Sequence, residues 1–367
     1  MSSEQEYRSL DGFGNNVENP HWGSANSPLR RVTRVAYEDG SSSPSGSNRP
    51  NPREISNTVL DQQKDVINTR GVSDYLWVWG QWVDHDIGFT PARTNEYFNI
   101  QVPKGDAWFD PAHTGQVVIP LTRSIYTTGT DGVRQQINLQ SSFIDASNVY
   151  GSDEVRANAL RTLDGTGKLK TGPDGLLPFN LDRLPNDPNN DTSLYVAGDE
   201  RANEQPILTA MHSLWLREHN RLAHQLYHQD SSQTGEVIYQ RARQMVIALN
   251  QAITFNEFLP VLLGSGGVSA YSGYNSGVDP TIVNIFSTAC YRLGHSLVSP
   301  ELLRLKSDGS AIVEGPLKLR EGFFSPSMLT VGGGMEPLLR GAAKQLCQKL
   351  DARTVSELRN FLFGNPG

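Results

Sequence analysis

Asp84-His85-Asp86 sets a histidine between two carboxylates, with Gln81 one helical turn before it. On a helix Gln81 shares a face with both Asp84 and His85, three and four positions on, while Asp86 is turned elsewhere. Titratable groups crowded in this way are costly in an interior unless a partner, a metal or a cofactor satisfies them. A solvated helix rim is the bland alternative. The flanking Trp77, Trp79, Trp82, Ile87 and Phe89 weigh against it, being too apolar for a free surface.

Four further segments carry groups with chemistry. Ser141 to Ser147 offers oxygens at alternate positions, which in an extended segment face one way. Asp145, the hydroxyls of Ser141 and Ser147 and the Phe143 carbonyl suit a hard cation such as calcium, although a plain serine-rich loop is the commoner meaning of such a stretch. Asp199 to Pro206 puts Arg201 and Glu204 where a loop runs into a helix, with an acidic N-terminal cap as the simple reading of its carboxylates. His224 and His228 stand four apart on that helix, a spacing that suits zinc but lacks a carboxylate partner, so surface or packing residues are the expectation. His295 follows Gly294 on an otherwise apolar run. By itself it reads as a satisfied core histidine, yet an axial haem ligand needs the same setting: neutral imidazole, little bulk and low dielectric.

The elements that must position these groups are mainly helical. Periodicity and breakers predict helices from Pro52 to about Asn68, from Ser73 or Asp74 to a stop before Pro91, and over Pro206–His228, Gly235–Leu263, Thr281–Leu297, Glu336–Leu350 and Val355–Phe363. Val117 to Tyr126 reads as a strand, and Asp164 to Asp199 as a turn-rich surface excursion. Residues 1–52 read as an extended arm, with Ser41 to Pro52 expected to be disordered, and 53–367 as a helical core that forms one domain with it.

Bulk properties exclude several classes. The 32 Lys and Arg against 39 Asp and Glu, without a long basic run, do not make a nucleic-acid groove. No apolar run appears long enough to cross a bilayer, and Met1-Ser2-Ser3-Glu4-Gln5-Glu6 lacks the pattern of a secretory signal, so a soluble chain is expected. With only Cys290 and Cys347 there is no disulfide framework, and Cys290, in an apolar helical pattern, is expected to be buried and inert.

Taken in order, these segments resemble the animal-type haem peroxidases, the family of myeloperoxidase and peroxidasin, which has bacterial members. The likeness begins near Tyr7-Arg8-Ser9-Leu10-Asp11-Gly12 and Asn19-Pro20-His21-Trp22-Gly23 and runs through Leu338-Leu339-Arg340-Gly341. Gln81-Trp82-Val83-Asp84-His85-Asp86 and Leu216-Arg217-Glu218-His219-Asn220-Arg221-Leu222-Ala223 are its most diagnostic parts.

The resemblance implies a mainly α fold with little β and a haem b between two histidines: His85 as distal histidine and His295 as proximal iron ligand. Arg201 and Gln81 complete the distal site it implies, and Asp84 and Glu204 match carboxylates that can form ester links to the haem edge. One calcium ion would be held by Asp86, Ser141, Phe143, Asp145 and Ser147, with Ser141 in place of the more usual threonine. The implied activity is reduction of hydrogen peroxide through a ferryl haem intermediate that oxidises a halide, thiocyanate or phenolic donor, in a setting of oxidative stress and, by family, outside the cell.

The pattern departs from the family at two places. Gln205 stands where myeloperoxidase has a haem-linked methionine, so double-ester haem at most is expected, favouring bromide, iodide, thiocyanate or organic donors over chloride. The chain also stops at Asn365-Pro366-Gly367, before the segment whose asparagine orients the proximal histidine, so it reads as a C-terminally truncated member lacking that hydrogen bond. Two other readings compete. A fatty-acid oxygenase needs a tyrosine three residues before His295, where Arg292 stands and Tyr291 is one position early. A calcium-stabilised adhesion or matrix module would keep the fold without the chemistry, and the joint presence of His85, Arg201 and His295 argues against it.

Overall fold

Helix formation starts where caps are available and stops where the backbone finds partners elsewhere. The computed structural model describes residues 6–46, 48–92 and 95–362. Asn51 accepts the amides of Arg53 and Glu54, and Pro52 needs no amide in the first turn, so α1 (Pro52–Ile55) forms there. It widens into a π-turn over Ser56–Leu60 and ends. The helix expected to reach Asn68 is cut short because Asp61, Ile67 and Ser73 bridge to Thr354, Gln348 and Leu346.

The next helix, α2 (Tyr75–Ile87), carries the Asp84-His85-Asp86 triplet and is apolar on nearly every side, with Trp77, Val78, Trp79, Trp82, Val83 and Ile87 all buried. Such a helix belongs in a core. Gly88 turns extended and ends it, short of Pro91 as expected.

Little sheet is present. The arm's β1 (Ser27–Pro28) lies on β5 (Arg134–Asn138), which also pairs with β4 (Tyr126–Thr128), while β2 (Ile100–Gln101) pairs with β3 (Val118–Ile119). The strand expected over Val117 to Tyr126 is therefore split between two sheets, with Pro120, which has no amide to donate, between the halves. The Ser41 to Pro52 segment is not loose where it is described. Asp39 accepts the amides of Ser41, Ser42 and Ser43, and the Ser41 and Ser42 carbonyls receive Arg134 and Arg123.

Two short helices, α3 (Ser147–Tyr150) and α4 (Glu154–Leu160), follow, and then the turn-rich segment, with a 3-10 turn at Pro173–Gly175; it is not the surface excursion expected, since Leu169, Leu176, Leu177 and Leu194 to Ala197 are buried. The long helices match the periodicity: α5 (Pro206–Gln229), capped by Gln205, and α6 (Gly235–Ile253), capped by Thr234. A π-turn at Thr254–Phe258 continues α6 into α7 (Leu259–Leu263). This Gly235–Leu263 run is, against expectation, long and apolar enough to cross a bilayer, although α6 packs along α5 and its Ile238, Tyr239, Ala242 and Val246 are buried.

The helix expected over Thr281–Leu297 is broken. Arg30 of the arm exchanges backbone bonds with Ile282 and Asn284, so α8 (Asn284–Thr288) starts late. Ala289 then leaves helical geometry, and Cys290–Ser296 continues as a 3-10 turn. Cys290 is consequently exposed rather than buried, while Cys347 is buried. Beyond it come β6 (Glu301–Leu302) paired with β7 (Leu317–Lys318), α9 (Leu319–Gly322), α10 (Ser327–Val331) and α11 (Glu336–Lys344). The last stops before Leu350 because residues 345–348 bond back to 62–74. A π-turn over Glu357–Phe361 replaces the final expected helix, whose end at Phe363 lies outside the described residues.

Candidate active site

One face of α2 supplies Leu76, Trp77, Gly80, Gln81, Asp84 and His85 to the wall of a cavity of about 540 Å³. The loop before α5 adds Arg201, Glu204 and Gln205, and the 3-10 turn adds Tyr291, Arg292, Gly294 and His295. Phe258, Leu262, Leu297, Val298, Leu319 and Phe323 make the rest largely apolar. That volume and lining suit a flat, mostly hydrophobic cofactor held by a few polar groups.

His85 is buried, and its Nδ1 lies 3.4 Å from Asp199 Oδ1. Burial pushes its pKa well below the ordinary 6.5, the Arg201 charge adds to this, and Asp199 opposes it without winning. The imidazole is therefore neutral at pH 7. Arg201 grips Asp199 with two bonds, Nε to Oδ1 at 2.9 Å and Nη2 to Oδ2 at 2.8 Å, and Nη2 also donates to the Gly88 carbonyl. The guanidinium lies over the Phe89 ring. Burial alone would raise the Asp199 carboxyl, but the Arg201 guanidinium holds it well below the usual range.

Asp199 is the site residue that sequence reading left without a role. It does not cap α5, a task done by Gln205; it joins Arg201 to His85 and also accepts Gln140 Nε2 at 3.0 Å. Its position two residues before the arginine was the available signal. The loop reaches this place because residue 198 is glycine: a Cβ there would lie 2.5 Å from the Ser147 carbonyl oxygen and from the Gly151 nitrogen. Asp199 N donates to the Asn148 carbonyl, and Asn148 Nδ2 donates to that of Trp82, so α3 ties the loop to α2.

Gln81 Nε2 donates to Glu204 Oε1 at 3.1 Å, and Gln205 Nε2 donates to Gln81 Oε1 at 3.1 Å. Burial pushes the Glu204 carboxyl up to about 7 against the pull of Arg201. Asp84 accepts Arg292 Nη1 at 3.2 Å and stands 3.9 Å from Arg201 Nη1. Arg292 is a second wall residue that pattern reading noted only as a missing tyrosine. His295 is exposed to the cavity, and partial desolvation by the groups around it, with Arg292 beside it, lowers its pKa from the ordinary 6.5, which favours the neutral ring.

Asp86 points away from this cavity into the Ser141–Ser147 loop. Ser147 donates its amide to Asp86 Oδ1 at 2.7 Å and its hydroxyl to the Asp86 carbonyl at 2.6 Å; Ser141 donates its hydroxyl to Asp145 Oδ2 at 2.6 Å. Phe143 lies in the same loop, its amide on Ser141 Oγ. Both carboxyls are fully enclosed and raised by burial, Asp86 further so by the Asp145 charge, and Asp145 reaches about 6. Two such carboxylates among hydroxyls and carbonyls are a donor set for a hard cation. His224 and His228 are exposed with rings 4.3 Å apart, and among the described residues no group of three or more His, Cys, Asp or Glu side chains could hold a metal, so the zinc reading finds no support.

The profile described as animal haem peroxidase matches residues 7–367. Human thyroid peroxidase is 35% identical over 98% of this chain, which spans about half, 45%, of that protein's length. Peroxidase A from Dictyostelium discoideum is 34% identical, with a TM-score of 0.92 over 99% of this chain and 73% of that one. A fatty acid alpha-dioxygenase from Oryza sativa shares 19% identity and a TM-score of 0.74 over 98% of this chain and 63% of that one, a likeness of fold alone.

Proposed function

The chain belongs to the animal haem peroxidase family, and from that premise we propose that it binds haem b in the cavity and reduces hydrogen peroxide there. The observation that carries the reading is the convergence of His85, Gln81, Arg201 and His295, from three separated segments, on one largely apolar space. The two neutral imidazoles fit the roles of peroxide base and iron ligand, His85 and His295 respectively. Asp84 and Glu204 are the carboxylates offered to the porphyrin edge for ester links. When bound, haem supplies an iron that coordinates peroxide and a ring system that stores its oxidising equivalents.

The chain's own part is proton handling and charge stabilisation. In the tautomer that carries its proton on Nδ1, 3.4 Å from Asp199 Oδ1, His85 has its lone pair at Nε2, which takes a proton from one oxygen of hydrogen peroxide and returns it to the departing one as water forms. Arg201, held flat by Asp199 and Gly88, stabilises the charge that develops as the O–O bond breaks. Gln81 orients the small molecule, its own amide fixed by Glu204 and Gln205. Gln205 offers no sulfur to the cofactor, which favours bromide, iodide, thiocyanate or phenolic donors. For a fatty-acid oxygenase the position three before His295 would have to be tyrosine; it is Arg292, tied to Asp84. The arm and the helical core act as one domain, joined by the β1–β5 pairing, in a soluble protein of extracellular setting.

Titration of the purified chain with haemin tests this. A Soret band and peroxide-dependent guaiacol oxidation are expected; a preparation that stays colourless sinks the reading, and calcium binding without haem would favour a matrix module instead.

We place one calcium ion at Asp86, Ser141, Phe143, Asp145 and Ser147, where it would pin α2 beside His85 to the loop leading into α3. Because the folded pKa values of Asp86 and Asp145 are raised, the folded chain without a cation holds more protons than the unfolded one, so its stability falls as pH rises through that window. The cation reverses this. Chelation should therefore lower the melting temperature, more at mildly alkaline than at mildly acidic pH, removing about 3 kcal/mol where calcium stands at ~100 times its dissociation constant. A calorimetric midpoint indifferent to chelator would remove the site.

A further inference from the structure

Of the buried tryptophans in the core, Trp77 alone lines the cavity, and its environment differs from that of the others. Trp79 Nε1 donates to Thr254 Oγ1 at 3.1 Å and Trp82 Nε1 to Asn250 Oδ1 at 2.7 Å, both neutral acceptors away from the cavity. Trp215, whose Nε1 has no acceptor, does not reach the cavity either. Trp77 Nε1 is buried without a full hydrogen bond, and so is Oδ2 of Asp74, three residues earlier. Both stand in the first turn of α2, where the Trp77 amide donates to the Asp74 carbonyl at 3.1 Å, and the indole N–H lowers the carboxyl's pKa against the upward push of burial.

Asp74 is unusual in its own right. It occupies the N-cap position of α2, yet its side chain caps no amide; Oδ1 instead accepts Ser299 Oγ at 2.9 Å. It is fully buried, and burial pushes it up to about 7 despite Trp77 and Ser299. A carboxylate that forgoes a cap and is desolvated beside an unbonded indole N–H gains no evident stability by it. The pair makes sense as chemistry, because an indole that loses an electron becomes a strong N–H acid and needs a base within reach.

We propose that Trp77 is a redox-active residue of this site, with Asp74 as the acceptor of its indole proton; this rests on the peroxidase reading. In the absence of a donor, hydrogen peroxide leaves two oxidising equivalents at the cofactor. One is met by an electron from the Trp77 indole, whose Nε1 proton passes to Asp74 Oδ2. The products are a neutral indolyl radical and a carboxylic acid, so no net charge is left in the interior. An electron from a halide, thiocyanate or phenolic donor, with the proton returned from Asp74, restores the pair. Tyr291 is the competing site on the cavity wall, its hydroxyl likewise buried without a hydrogen-bond partner.

The haem-loaded full chain, mixed with hydrogen peroxide without donor and frozen rapidly, tests this by electron paramagnetic resonance. Growth on ring-deuterated tryptophan should narrow the radical signal in the unaltered protein, and spin trapping followed by peptide mass spectrometry should place the adduct on Trp77. The adduct should be lost in Trp77→Phe and also in Asp74→Asn, where the indole is kept but its proton has no acceptor; haem uptake by both is read from the Soret band. A signal insensitive to tryptophan deuteration, or an adduct on Tyr291, overturns the relay and leaves the peroxidase reading intact. Failure of the unaltered chain to take up haem overturns both.

Discussion

Replacing His85 by alanine should leave haem bound while slowing the reaction with hydrogen peroxide by about 10²–10⁴-fold, the range that a positioned general acid–base contributes. The expectation depends on protonation state as much as on position. A base must be neutral to accept a proton, and burial together with Arg201 keeps His85 neutral to well below the ordinary histidine range. The rate of the unaltered protein should therefore stay flat as pH falls through 6.5, with its acid limb displaced to lower pH. Stopped-flow spectra across pH read both features. An unchanged rate in His85→Ala would remove the residue from the mechanism, and a limb centred near 6.5 would show that the interior does not hold the ring neutral.

Asp199→Asn should cost about 10–100-fold in the same peroxide step, as expected for a group that orients the residues doing the chemistry. Its carboxylate serves Arg201 twice and faces His85 Nδ1, so the amide loses the paired acceptors and the preference for one imidazole tautomer together. The more drastic Asp199→Ala leaves the guanidinium without its buried counter-charge and should lower stability by about 3–5 kcal/mol. The pH profile separates positioning from plain electrostatics. Asp199 raises the His85 pKa, so its removal lowers that pKa further and cannot bring an acid limb into the neutral range. A rate loss with the acid limb displaced only to lower pH is the expected signature; full activity in Asp199→Asn would show that Arg201 and His85 hold their places without it.

Much of this was legible because the chemistry is concentrated in short contiguous stretches. Gln81, Asp84 and His85 share a face of α2 by helical spacing alone, and the same spacing sends Asp86 to the other side, toward Ser147. Pro206 marked the start of α5, and its apolar period carried it to His228, one residue short of the observed end at Gln229. The errors have the opposite character. The expected helix after Pro52 failed because its backbone bonds to residues 346–354, and that before His295 failed because Arg30 holds Ile282 and Asn284. A local propensity of a few tenths of a kcal/mol per residue yields to such pairings.

Residue types and spacing within each stretch, then, determined the mainly helical class, the long helices and the identity of the groups that could do chemistry, because helical periodicity acts over three or four residues. Only the tertiary structure decided that Asp199 serves Arg201 and His85 rather than a helix end, that Arg292 engages Asp84, and that Asp74 turns from capping toward Trp77 and Ser299. Those are contacts between parts of the chain far apart in sequence, or choices among acceptors that burial makes unequal. Their energies depend on what else is excluded from the same space, and no local pattern encodes that.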